Sequence, residues 1–206
     1  EFEPRDSGYV KTKIAVPEGK EINRIVEEIA VVQSKLCIGL KCGIEPTSKE
    51  YYALMLGGCI FGGSPFSKLF TNVREKLSLA YYASVRTERF KSTMFISSGI
   101  ETDKYQAAYD EILVQFNKMK SGDITDSEVV NSKLYLTNGF NSMKDGLRTM
   151  EDYYLSQAIM DNKGEIDDLI EMTNKVTKEE IVEAFNKVEI DTVYFLKGCA
   201  SDGGDE

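Results

Sequence analysis

The sequence predicts an α+β fold in which an antiparallel or mixed β-sheet packs against a layer of helices. Three observations predict it. Strand-like segments come first, helical segments follow in a block, and one strand closes the chain, an order unlike the regular alternation of parallel α/β folds. Residues 34–44 alternate cleanly, with Leu36, Ile38, Leu40, Cys42 and Ile44 on one face and Lys35, Gly39, Lys41 and Gly43 on the other. From residue 103 onward the apolar period lengthens to that of a helix, and Thr-x-x-Glu starts recur.

In chain order, residues 9–16 alternate in part and suit a first strand, and 17–20 form a turn. Residues 21–32 fit helix or strand equally well. After the strand at 34–44, Thr47-Ser48-Lys49-Glu50 reads as a capping box opening a helix through Tyr51, Leu54, Met55 and Ile60, which the Gly62–Gly63 pair ends. Ser64 and Pro65 then suit the cap and first position of a short helix. Its apolar stripe is Phe66, Leu69, Phe70, Val73 and Leu77. Residues 81–87 and 92–100 read as two strands of a hairpin.

The remainder is mostly helical. Residues 103–120 carry Tyr105, Ala108, Tyr109, Ile112, Leu113 and Phe116 on one face, and Ser121–Gly122 stops them. Capping boxes at Thr125–Glu128 and Thr177–Glu180 open two further helices, the first reaching Phe140 and the second Val188. Between them Gly146 marks a break, and 149–160 make another helix. Residues 191–197 are the closing strand. With no low-complexity linker and no repeat, residues 1–206 are expected to form one domain. Within it, 1–24 are an N-terminal extension or first strand and 199–206 a disordered acidic tail.

Composition removes several function classes. A formal net charge of −9 argues against a nucleic-acid partner. No apolar run approaches the roughly 20 residues that cross a bilayer, so no membrane partner is expected. No signal peptide is visible, and a start at Glu1-Phe2-Glu3-Pro4 reads as an excised fragment or a processed chain. Cys37, Cys42, Cys59 and Cys199 lack the spacing of a zinc knuckle and read as reduced thiols of a cytoplasmic protein. The chain has no histidine, which removes Ser-His and Cys-His dyads and every histidine-ligated metal site.

The sharpest chemical signal lies in residues 61–88, a glycine turn, a short amphipathic helix and a strand entered through Tyr81 and Tyr82. Arg74 flanks the helix's apolar stripe, and Tyr81 follows seven residues later, after the helix has run out. A guanidinium and a phenol at such a junction suit binding a carbonyl oxygen or a developing oxyanion. Tyr82 should alternate to the other face and pack. The carboxylates Glu101 and Asp103 are not selected by their spacing.

Leu-Gly-Gly-Cys-Ile-Phe-Gly-Gly-Ser-Pro-Phe-Ser-Lys-Leu-Phe (56–70) and Val-Arg-Glu-Lys-Leu-Ser-Leu-Ala-Tyr (73–81) resemble the C-terminal half-domain of insulinase-like zinc metallopeptidases. That family includes pitrilysin and the subunits of mitochondrial processing peptidase. Residues 31–40 and 176–181 resemble its first strand and last-helix entry, so the likeness covers about 25–198. The resemblance implies an α+β half-domain facing a similar half as a clamshell around a peptide substrate. The partner half, in the same or another chain, would carry His-x-x-Glu-His and the zinc; this chain would hold no cofactor. Arg74 and Tyr81 match the family's Arg/Tyr pair and would contact substrate near the scissile bond. The chain alone would be inactive. The alternative implied by silent members of the family is a peptide-binding or scaffold module.

Overall fold

The computed structural model describes residues 21–199. Five strands form one mixed sheet: β1 (Asn23–Ile29), β2 (Ser34–Lys41), β3 (Ala80–Glu88), β4 (Thr93–Ile100) and β5 (Glu189–Gly198), in the spatial order β1-β5-β2-β4-β3. Only β1 and β5 run parallel; the other neighbours are antiparallel. The helices are α1 (Glu50–Gly58), α2 (Tyr105–Ser121), α3 (Asp126–Met143), α4 (Leu147–Ile159), α5 (Ile166–Lys175) and α6 (Lys178–Asn186). The expected strand at 9–16 and the acidic tail at 200–206 lie outside the described residues. No helix among the described residues is long and apolar enough to cross a membrane.

The alternation read in residues 34–44 sets the core. Leu36, Ile38, Leu40, Met94, Ile96 and Val193 point to the helix side and are almost fully buried. Phe61, Phe116, Ile181 and Phe185 from the helical layer close over them. On the sheet's other face, Ile25, Phe95 and Tyr82 remain partly exposed. Gly39 lies on that face between Phe95 and Thr192. Gly43 does not: at φ +63° it turns the chain after β2.

The ambiguous segment 21–32 resolves as β1. Its residues are exposed throughout, so neither period was imposed by burial; pairing with β5 decides it. The capping boxes at Thr125 and Thr177 form as read, each threonine oxygen accepting from the N–H three residues on. The box at Thr47–Glu50 does not. Lys49 precedes α1 without a side-chain cap, and Ser48 Oγ instead donates back to the Glu45 carbonyl at 2.8 Å. Helix α5 had no counterpart in the sequence reading; its start is a box built from Glu165 and Asp168 rather than from a hydroxyl. With α3 and α4 it encloses a smaller cluster of Phe140, Tyr153, Ile166 and Leu169.

Helix α1 runs past Gly57 and Gly58 and stops, as expected, at the Gly62–Gly63 pair. Its last turn, Cys59–Gly63, is π-helical and ends at the extended Ser64. Gly57 and Gly62 serve close approach: a Cβ at Gly57 would overlap the Phe185 ring of α6, and one at Gly62 would overlap the Val85 side chain of β3. Gly62→Ala is therefore expected to lower stability by about 1–3 kcal/mol, the usual cost of overpacking. Urea midpoints of Gly62→Ala alone and with Val85→Ala check this, because the double variant should recover part of the loss.

Candidate functional site

After Ser64 the chain reverses through Pro65 and Phe66, with Ser67 N–H donating to the Ser64 carbonyl at 3.1 Å. Ser67, not Ser64, caps the next helix: its Oγ accepts from the Phe70 N–H at 3.4 Å. Ser64 Oγ is instead buried, without a hydrogen-bond partner among the described residues. Helical hydrogen bonding from Lys68 onward becomes π-helical over Phe70–Lys76. The wider turn breaks the phase of the apolar stripe: Leu69 and Val73 are fully buried, whereas Leu77 is rotated out and half exposed. Arg74 lies at the rim, its guanidinium 4.6 Å over the Phe70 ring and its Nε 3.7 Å from Glu75 Oε1.

The connection to β3 is tight. Ser78 adopts φ +49°, sparsely populated for a residue with a Cβ, and its N–H donates to the Arg74 carbonyl. Leu79 N–H reaches back to the Val73 carbonyl at 2.9 Å. Strand β3 then opens on a β-bulge. Ala80 pairs with Ile100 and Tyr82 with Gly99, so Tyr81 is the extra residue and stands outside the sheet's alternation. Its ring is 56% exposed. Tyr82, expected to alternate to the other face and pack, lies across Gly99 on the open face and stays 37% exposed.

Arg74 and Tyr81 line one open pocket of about 450 Å³, together with Glu75, Ser78, Leu79, Ala80, Glu101 and Lys104. The spacing of the pair thus brings both side chains to one cavity at the helix-to-strand junction. Spacing missed the two charges beneath them. Glu101 follows β4 directly, and its Oε1 lies 3.5 Å from the Tyr81 hydroxyl. Lys104 Nζ bridges Glu101 Oε1 at 3.1 Å and the Ser78 carbonyl at 3.2 Å. Both reach the pocket only through the pairing of β4 with β3, which no local pattern carries.

Residues 3–136 match the peptidase M16 inactive domain. The chain belongs to that family. The insulinase-type likeness of residues 56–81 is borne out. Among relatives, the M16 inactive domain here is 37% identical over 95% of its length to the probable inactive metalloprotease YmfF of Bacillus subtilis. It is 28% identical over 78% to that organism's uncharacterized zinc protease YmxG. It spans less than half of each, 46% and 37%. Among solved structures, it resembles a conserved protein from Enterococcus faecalis, with TM-score 0.89 and 30% identity over 98% of this chain and 48% of that one. An M16 inactive domain from Pseudomonas fluorescens shares the fold, with TM-score 0.75 and 15% identity over 90% of this chain and 46% of that one.

The M16 domain's residues do not fit a zinc site. The chain has no histidine, and among the described residues no three Cys, Asp or Glu side chains are grouped to hold a metal. Nor are the buried thiols poised as nucleophiles: burial pushes Cys42 up to about 12 and raises Cys59 as well.

The helix carrying Arg74 is anchored by charge. Lys68, at 7% side-chain exposure, pairs with Glu128 at 2.9 Å, and Glu128 also accepts from the Thr125 N–H at the start of α3. Burial alone would raise the Glu128 carboxyl, but the Thr125 and Lys68 hydrogen bonds outweigh it and hold it below its ordinary 4.5. Lys68→Met strands that carboxylate and should cost on the order of 3 kcal/mol. Because the folded Glu128 is depressed, its stabilisation is present above pH 4.5 and is lost as pH falls through the folded value. The stability gap between the natural chain and Glu128→Gln, measured by urea unfolding, is expected to be widest near neutrality and to close on acidification.

Proposed function

We propose that this domain is the substrate-binding, non-zinc half of an insulinase-like zinc endopeptidase, with residues 25–198 as the half-domain. The observation that carries the reading is the convergence of Arg74 and Tyr81 on one open pocket. Their roles follow from their chemistry. The guanidinium is permanently charged and offers several N–H donors, of which only Nε faces Glu75, leaving the others for a substrate carbonyl oxygen. The Tyr81 phenol, mostly exposed, donates its O–H to the same oxygen as negative charge develops there. The zinc, for which the sequence offers no histidine and the described residues no grouped ligands, belongs on this reading to a partner half bearing His-x-x-Glu-His, across a cleft that holds the peptide.

A second reading has its own support. A relative at 37% identity is named a probable inactive metalloprotease, which favours a catalytically silent peptide-binding or scaffold module. The two part on one experiment. In an assembly of this chain with the His-x-x-Glu-His half, Arg74→Ala and Tyr81→Phe are expected to lower kcat/KM about 10²–10³-fold, with zinc content unchanged. Normal cleavage by both variants would sink the catalytic role. An assembly that binds an extended peptide without cutting it would establish the silent module. Metal analysis of the isolated chain should find no stoichiometric zinc; one tight zinc per chain would overturn both.

A further inference from the structure

The pocket holding Arg74 and Tyr81 also holds Glu101 and Lys104, which the proposed function leaves without a task. We propose that Lys104, acting through Glu101 and Ser78, is a positioning residue for the Arg74–Tyr81 pair; this rests on the reading of that pair given above. Ser78 follows Arg74's helix and donates its N–H to the Arg74 carbonyl, while its own carbonyl accepts from Lys104 Nζ at 3.2 Å. The same ammonium holds Glu101 Oε1 at 3.1 Å, and that oxygen faces the Tyr81 hydroxyl. One cation therefore ties the turn behind Arg74 to the acceptor that aims Tyr81.

Two physical features make the arrangement more than a surface ion pair. First, Ser78 sits in the left-handed region at φ +49°, a conformation that persists only where its surroundings hold it, and the Lys104 contact is such a hold. Second, the phenol-to-carboxylate contact of 3.5 Å is well beyond the usual O–H···O distance. The hydroxyl is aimed without being consumed, and it can turn to a substrate oxygen at small cost. Lys104 is what keeps the contact loose, because its ammonium already donates to Glu101 Oε1, an oxygen that would otherwise take its hydrogen bond from the Tyr81 hydroxyl. Removing Lys104 frees the turn and lets Glu101 capture the phenol. The loss should fall on the step in which the phenol donates, hence on kcat more than on KM.

The test combines peptide cleavage by the assembled two-half enzyme with hydrogen exchange on the same samples. Lys104→Met is expected to lower kcat by about tenfold with KM nearly unchanged, and Lys104→Arg to restore most of it. In a Tyr81→Phe background, Lys104→Met should cost about threefold or less, because only the part carried by the turn behind Arg74 remains. A merely structural lysine would lower turnover equally in both backgrounds. Exchange at the Leu79–Tyr81 amides should quicken about tenfold in Lys104→Met while the α2 amides stay protected. Full activity in Lys104→Met, an equal loss in both backgrounds, or unchanged exchange at 79–81 would each overturn the proposal. Should Arg74→Ala and Tyr81→Phe cleave normally, the function proposed above fails, and the exchange result alone then decides whether Lys104 holds the turn.

Discussion

The close approach of the end of α1 to β3 is the constraint on which the rest of the domain depends. Gly62 has no side chain because Val85 fills the space where one would stand, so the helix lies directly on an edge strand. The chain then reverses within Ser64–Ser67, and the next helix also packs beside β3. Arg74 is thereby delivered to the point where that strand begins. A second close contact, Gly57 against Phe185, seats the same helix on α6 and ties the first half of the chain to the last. Two absent side chains set the placement of both.

Electrostatics work differently at the two ends of the Arg74 helix. At its start, Lys68 and Glu128 form a shielded pair whose value is mechanical, pinning the helix to α3. At its end, Arg74, Lys104, Glu75 and Glu101 share a solvent-open pocket in which neither sign dominates, within a chain of net charge −9.

What could be read in the sequence was whatever burial or capping writes locally. The alternation of Leu36, Ile38 and Leu40 and the boxes at Thr125 and Thr177 are of this kind, and all stand. Readings failed where a side chain had a competing partner or where pairing alone decides. Ser48 turned back to Glu45, Ser67 took the cap from Ser64, and β1 owes its state to a parallel neighbour far along the chain. The site divides the same way. Arg74 and Tyr81 were legible because one helix and one turn join them. Glu101 and Lys104 meet them only through strand pairing and a bulge, and neither leaves a pattern in the residues around it.

The bulge at Tyr81 also separates two demands on one strand. In a regular strand, the aim of a tyrosine is fixed by the same two-residue rhythm that sends Ala83 and Val85 toward the helices. The extra residue uncouples them, so the phenol answers to the pocket and the rest of β3 answers to the core. Selection can then act on each separately. A change at Tyr81 can therefore leave the packing contacts of Ala83 and Val85 behind it in place.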